Sequence, residues 1–331
     1  MKNILLKLLD YQYLNRDESR GLLVAIARGE VSDSQVASII TIFLMRSISV
    51  DEILGFREAL LEMKMFVDFS EYKAIDIVGT GGDGKNTFNI STSASFVVAG
   101  AGYPVVKHGN YGATSISGSS NAMEEQGVKF TTDMDILKKS IEECNLAYLH
   151  APLFSPALKA VAHIRKSLGV RTFFNVLGPL INPSDPEYQL LGVYDLSMSR
   201  LYSYIYQANN RRFGIVHSLD GYDEISLTSQ FKVVNNGGEQ LFSPEEIGFN
   251  RVSQYDISGG STLQESVSIF NKVINCEATK PQMDVVIVNA AFAIQVIEDH
   301  KSIAECVDIA KDSLYGKRAK KVLSKFVELN K

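Results

Sequence analysis

The first 65 or so residues place apolar side chains at helical spacing. Ile4, Leu5, Leu8 and Leu9 mark one stripe, and Leu22, Leu23 and Ile26 mark another. Two capping boxes, Ser32 with Gln35 and Ser49 with Glu52, open predicted helices that run through Arg46 and to about Met65. Three or four short helices with Phe43, Leu44 and Met45 to bury make a small bundle. Such a bundle often completes its core against a partner, so a dimer surface is expected there. From Ala74 the texture changes. Strand-like runs (AIDIV, PVVKH, LAYLH, QLLGVY, FGIVHS) alternate with helical stretches near 91–102, 133–144, 156–168 and 197–209. That alternation predicts an α/β fold with a mostly parallel central sheet. FKVVNNGGEQLF reads as a hairpin turned near Asn236-Gly237, and the last third, from Ser261, reads as helical. The expected division is a helical domain over 1–70 and an α/β domain over 71–331, with a later helix near 165–180 able to return to the first.

The stretch DIVGTGGDGKNTFNIST fits two phosphate-binding templates incompletely. Gly79, Gly81 and Gly84 spell G-x-G-x-x-G, but the next strand ends in Lys107 where a dinucleotide fold needs an acid for the ribose. Gly79, Gly84 and Lys85 nearly spell a P-loop, but Asn86 stands where a magnesium-binding hydroxyl belongs, and the candidate second strand, DVVIVNAA, ends in Asn289. What remains is a longer cradle. Its glycines let backbone N–H groups approach an anion, and the hydroxyls of NIST (Asn89, Ile90, Ser91, Thr92) lie at a helix's positive end. Helix capping is the plainer role for Ser91 and Thr92. A second loop, KHGNYGATSISGSS, follows the next strand, and two such loops on adjacent strand ends face one crevice. Acidic residues Asp220, Asp223 and Glu224 in HSLDGYDEISL supply hard oxygen donors suited to Mg²⁺.

Charge and cysteine content narrow the class. The formal net charge of -5, from 33 basic and 38 acidic residues, argues against a nucleic-acid coat and asks for local cations where phosphates bind. Cys144, Cys276 and Cys306 are dispersed and read as thiols in a reducing compartment. The N-terminal pattern is not that of a signal peptide, and 285–297 is too short for a membrane span. A cytoplasmic enzyme is expected.

Taken together, DIVGTGGDG, FNIST, VVKHGN, SGSS, LGVRTFFNVLGPLINP and HSLDGYDEISL resemble the anthranilate phosphoribosyltransferase family, in order and at matching spacing over essentially the whole chain. The resemblance implies a small helical domain on a larger α/β domain of the nucleoside phosphorylase and phosphoribosyltransferase type, a homodimer, and an active site in the hinge. It implies transfer of 5-phosphoribosyl from phosphoribosyl pyrophosphate (PRPP) to the amine of anthranilate, a step in tryptophan biosynthesis, with Mg²⁺. Carried over by position, Gly79, Gly82, Asp83, Thr87 and Asn89 to Thr92 would hold PRPP. Lys107, His108, Gly109, Asn110, Ser115 and Ser119 would complete that cradle. Ser91, Asp223 and Glu224 would bind the metal, and Gly79, Asn110, Arg165, Gly178 and Pro179 would meet anthranilate.

Three positions depart from the family pattern. Tyr111 stands where Arg is frequent, Ser155 where a histidine is usual, and Asn121 where Asp is frequent. His108 is the one candidate acid or base, although a histidine at a strand tip is as often a hydrogen-bonding fixture. From the residues alone Arg165 reads as part of a solvated helix face. Two rivals remain at this point: a pyrimidine nucleoside phosphorylase, needing no acidic metal pair, and a non-catalytic nucleic-acid binder, needing a basic groove.

Overall fold

The computed structural model describes residues 1–112, 116–207 and 211–331. The expected Ser115 therefore lies outside the described residues. In chain order the elements begin with four helices, α1 (Lys2–Leu9), α2 (Arg16–Ala27), α3 (Asp33–Met45) and α4 (Val50–Met63). There follow β1 (Ile75–Gly79), α5 (Ile90–Gly100), β2 (Val105–Gly109), α6 (Ser119–Glu125), α7 (Met134–Cys144) and β3 (Leu146–His150). Four short helices come next, α8 (Ala151–Phe154), α9 (Pro156–Ala160), α10 (Ala162–Leu168) and α11 (Phe173–Leu177). The rest is β4 (Tyr188–Gly192), α12 (Leu196–Gln207), β5 (Arg212–Ser218), the hairpin β6 (Phe231–Asn235) and β7 (Gly238–Phe242), then α13 (Leu263–Asn275), α14 (Lys280–Ile297), α15 (Ile303–Tyr315) and α16 (Arg318–Leu329).

These elements form two compact units. The first comprises Met1–Val67 and Ala151–Pro183, and the second Asp68–His150 and Ser184–Lys331. In the helical unit both predicted capping boxes form: Ser32 accepts from Gln35 N and Ser49 from Glu52 N. Its core includes Phe43, Phe56 and Phe173, with ring centroids 4.9–5.6 Å apart. Of the three apolar residues that the bundle was expected to bury, alone or against a partner, Phe43 is buried within the chain and Leu44 and Met45 are exposed. Leu6, Leu9, Tyr11 and Tyr13 are exposed on the same unit.

A buried ion pair organises the turn between α3 and α4. Glu52 is wholly buried and accepts from Arg46, from Ser49 N at 2.9 Å and from Leu14 N at 2.9 Å. The Arg46 guanidinium lies 4.6 Å from the Tyr13 ring and 4.7 Å from Phe43. One carboxylate thus serves a cap, a loop and a cation.

The second unit is built on a seven-stranded sheet of order β3-β2-β1-β4-β5-β6-β7. The first five strands are parallel; β5, β6 and β7 pair antiparallel, with Asn235 opposite Gly238 across the expected turn. The chain runs outward from β1 to β2 and β3, then returns to place β4 on β1's other side. The order therefore reverses between β1 and β4, where open α/β sheets bind ligands. The run DVVIVNAA is not a strand but the middle of α14, which packs on α5, β4 and α15. Its residues are buried all round from Met283 to Ile294, so apolar periodicity cannot separate helix from strand. Length decides, since 18 residues suit a helix. No helix among the described residues is long and apolar enough to cross a membrane.

Glu52→Gln keeps the shape of the ion-pair acceptor but strands the Arg46 charge. It is expected to lower the unfolding free energy by about 3 kcal/mol, read as a shift of the urea midpoint.

Candidate functional site

The carboxyl ends of β1 and β4 set the site. They stay paired to their last residues, Gly79 opposite Gly192, and Thr80 N extends the ladder to Gly192 O at 2.9 Å. Asp223 sits directly on this pair. A Cβ on Gly79 would strike its carboxylate, and one on Gly192 its backbone carbonyl. Both glycines are therefore required for close approach rather than for unusual backbone angles. Gly79, expected to touch substrate, first of all makes room for an acid.

The loop beyond β1 takes left-handed backbone at Gly81, Gly82, Gly84 and Asn86, with φ from 49° to 74°. Three glycines carry that strain without a Cβ, and Asn tolerates it best of the remaining residues. The loop is held at both ends. Gly81 N donates to Asp223 Oδ2 at 2.6 Å, Asn86 Nδ2 donates to Gly260 O at 2.7 Å, and Gly259 N donates to Asn86 O at 2.8 Å. A single bridge joins Thr87 to Ser258. Asp83 Oδ1 accepts from Lys85 N at 3.1 Å, which turns the loop back on itself.

Half-buried Asp83 and Asp223 and buried Glu224 bring three carboxyl groups together at this point. Burial, followed by the Asp83 charge, pushes Asp223 up to about 7. Glu224 is raised well above the usual carboxylate range by burial and then by Asp223, while a Thr87 hydrogen bond and the Lys107 charge pull the other way. Asp83 Oδ2 and Glu224 Oε1 are buried with no hydrogen-bond partner. Three crowded carboxylates with two orphaned oxygens are what a hard divalent cation would satisfy. Asp223 and Glu224 are the acids that would hold the metal the sequence implied, with Asp83 beside them, although among the described residues no three acidic, histidine or cysteine side chains are grouped as a metal centre. Ser91 Oγ, the third expected ligand, lies 3.4 Å from Lys107 Nζ.

Lys107 is beneath the loops rather than on them. Its ammonium is buried and donates to Ile77 O at 2.6 Å, and burial lowers it to about 8 against the pull of Asp76 and Glu224. His108 is buried at the end of β2, its backbone N–H donating to Asp76 Oδ1 at 3.2 Å. Helix α5 begins at Ile90 with Asn89 as its N-cap, so Ser91 and Thr92 lie within the first turn and do not cap it. Thr92 Oγ1 is buried there without a partner. The Asn89 side chain braces neighbouring elements instead of capping. Its Nδ2 donates to Ser117 O at 3.3 Å, and its Oδ1 accepts from Ser117 Oγ at 3.0 Å and Ser266 Oγ at 3.5 Å.

The second loop is closed at its neck by Asn121, whose Oδ1 accepts from Gly112 N at 3.1 Å and Gly118 N at 3.0 Å. Asn110 is exposed at the tip of β2, with Ser119 Oγ accepting from its backbone N–H at 3.2 Å. Gly109 admits the Tyr148 hydroxyl, which a Cβ would strike. Tyr148, Ser120 and His150, to which the sequence reading assigned no role, come together beside Gly109 and Ser119. The available signal was LAYLH, a buried strand that turns two polar rings to one face.

Three expected residues lie in the helical unit. Arg165 in α10 is half-buried, its guanidinium 5.5 Å from the Phe174 ring and 3.4 Å from Asn175 Oδ1. Burial lowers it, so it is not the solvated helix face that the local run of basic residues suggested. Gly178 has open space where a Cβ would stand, and Pro179 is buried beside it. Ser155, between α8 and α9, is buried with its hydroxyl unpaired.

Residues 71–319 match the α/β domain of the glycosyl transferase family, and residues 2–63 match its helical bundle domain. The fold is that of a two-domain glycosyltransferase. An anthranilate phosphoribosyltransferase from Bacteroides thetaiotaomicron is 62% identical over 330 residues, covering 100% of this chain and 99% of its own length. One from Flavobacterium johnsoniae is 50% identical, with 100% of each covered. Of solved structures, the anthranilate phosphoribosyltransferase of Thermus thermophilus matches with a TM-score of 0.90 at 31% identity, over 98% of both chains. That of Saccharomyces cerevisiae in complex with PRPP and Mg matches with a TM-score of 0.90 at 26% identity, over 99% of this chain and 98% of that one. The chain belongs to the anthranilate phosphoribosyltransferase family.

Asp223→Asn removes one of the crowded charges and keeps an acceptor for Gly81. In metal-free buffer at pH 8 it is expected to raise the melting midpoint. Gly79→Ala is expected to lower it, through a stability loss of roughly 1–3 kcal/mol from overpacking. Scanning fluorimetry of the two variants checks both signs.

Proposed function

We propose that the chain transfers 5-phosphoribosyl from PRPP to the amine of anthranilate and releases pyrophosphate, with Mg²⁺ held by Asp223, Glu224 and Asp83 and by Ser91. The buried carboxylate cluster at the β1/β4 switch point carries this reading. A site for one inorganic phosphate has no use for three crowded acids, whereas a diphosphate brought in with a divalent cation does. The two flanking loops supply glycine N–H groups and hydroxyls for the phosphate oxygens.

Displacement at C1 of the ribose builds positive charge on the sugar and negative charge on pyrophosphate. When bound, Mg²⁺ supplies Lewis-acid stabilisation of that leaving charge. Lys107 places a buried positive charge beneath the same loops, and the α5 N-terminus adds its dipole. Thr87 keeps Glu224 oriented, and Asn89 keeps the second loop in register with α5. Asn110 carries exposed polar groups at the β2 tip for the acceptor. Arg165 is a half-buried cation whose only polar partner among the described residues is distant, and the anthranilate carboxylate is the anion it fits. Gly178 and Pro179 would line the same ring. His108 is buried and receives no proton-transfer role; a neutral aromatic amine can attack first and lose its proton late.

The exposed apolar residues Leu6, Leu9, Tyr11, Tyr13, Leu44 and Met45 of the helical unit support a homodimer formed through it. The acidic balance and the reduced cysteines support a cytoplasmic enzyme with small-molecule substrates and no nucleic-acid partner.

Anthranilate fluorescence tests the reaction. Protein mixed with PRPP and Mg²⁺ is expected to quench it over time, and EDTA to stop the decay. Arg165→Ala is expected to raise the KM for anthranilate at least about 10-fold, the scale of a lost charge-assisted bond, with PRPP binding retained. No decay with PRPP still bound would assign the acceptor to another amine. Light scattering is expected to give twice the chain mass of 36.5 kDa; a single-chain mass would overturn the dimer.

A further inference from the structure

Strand β3 turns Tyr148 and His150 to one face, and Phe130 lies flat on both rings, with centroids 5.3 Å from Tyr148 and 4.1 Å from His150. Tyr111 meets the His150 ring edge-on at 4.9 Å and donates its hydroxyl to Glu124. Within this stack the polar atoms form one chain. His150 Nδ1 is 2.8 Å from Ser120 Oγ, Ser120 Oγ is 2.9 Å from the Tyr148 hydroxyl, and Tyr148 donates to Ser119 Oγ at 2.8 Å. Ser119 Oγ also accepts from Asn110 N at 3.2 Å and makes a long contact to Asn110 O at 3.4 Å.

Each hydroxyl owns one proton, and this fixes the direction of the chain. Tyr148 gives its proton to Ser119, so its oxygen can only accept from Ser120. Ser120 has then used its own proton, so the bond to His150 must be donated by the imidazole. His150 is thereby held as the Nδ1–H tautomer. At the other end Ser119 accepts from both Tyr148 and Asn110 N, and its own proton is committed only to the 3.4 Å contact. That proton is available to a stronger acceptor, and an anionic phosphate oxygen is one.

We propose that His150 is a positioning residue: through Ser120 and Tyr148 it polarises this chain so that Ser119 presents its proton to a phosphate oxygen of PRPP. The proposal rests on the PRPP reading of the site. Without a donor at position 150, Ser120 is free to accept from Tyr148. Tyr148 then no longer commits its proton to Ser119, and Ser119 can turn its own proton away from ligand.

The test is calorimetric affinity for PRPP with Mg²⁺. His150→Phe, which keeps a ring on Phe130, and Tyr148→Phe, which removes one oxygen, are each expected to weaken binding roughly 5-fold, the scale of one hydrogen bond. His150→Asn, whose amide N–H can donate from near the Nδ1 position, is expected to recover most of the loss. Adding His150→Phe to Ser119→Ala is expected to cost nothing further, because both act through one hydroxyl. Wild-type affinity in both phenylalanine variants, or additive losses in the double variant, would overturn the relay and leave the PRPP reading standing. A wild-type protein that binds no PRPP would overturn that reading and the relay with it. Should His150→Phe fold poorly, the Tyr148→Phe and Ser119→Ala pair gives the same cycle.

Discussion

Carboxyl groups crowded together, with only one buried cation beneath them among the described residues, govern the α/β unit. Asp223 rests on the Gly79–Gly192 pair at the one place where the strand order reverses, and Glu224 and Asp83 crowd it. Burying even one unpaired carboxylate is costly, and three repel one another. The chain relieves only part of this, with Gly81 N on Asp223, the Thr87 hydroxyl on Glu224 and the Lys107 ammonium below. The remainder is left for a ligand to neutralise, so the site holds an unfavourable charge state that binding corrects. That is a physical account of why PRPP would need a divalent cation here.

The two loops are shaped around that charge and are not independent of each other. Asn89 caps α5 by position yet spends its side chain on Ser117 and Ser266, so the Ser117 hydroxyl of the second loop is set by the residue that opens the helix. Asn121 closes the second loop's neck with two bonds to one oxygen, the geometry of an acceptor and not a test of charge. The presence of Asn instead of Asp there costs the loop neither bond. Tyr111, similarly, is tied to Glu124 and His150.

Much of this was legible in the sequence where a local rule has a single physical cause. The capping boxes at Ser32 and Ser49, the strand and helix alternation after Ala74, and the Asn236-Gly237 turn all follow from short-range geometry. The glycines at 79–84 announced a cradle, and DE at 223–224 announced acid beside it. Other features depend on tertiary packing. The 285–293 run is apolar on every side because α14 is enclosed, and enclosure removes the periodicity that identifies a helix. Arg165 reads as solvated beside Lys166, and only the fold of 151–183 puts it against Phe174. His150 and Tyr148 looked like strand residues because their partners, Ser119 and Ser120, arrive from about thirty residues earlier in the chain. Leu44 and Met45 satisfy a helical apolar pattern but remain exposed, because the pattern marks which side chains are apolar and not what covers them.

On the proposed reading, the unpaired oxygens of Glu224 and Asp83 meet a metal that arrives with the diphosphate. The most direct measurement is a crystal structure with pyrophosphate and Mn²⁺ in place of Mg²⁺, using anomalous scattering to locate the metal. The account predicts a peak within bonding distance of Glu224 Oε1 and of the diphosphate, with Asp83 or Asp223 completing the oxygen shell. Diphosphate bound in the loops with no anomalous peak at these carboxylates would contradict it.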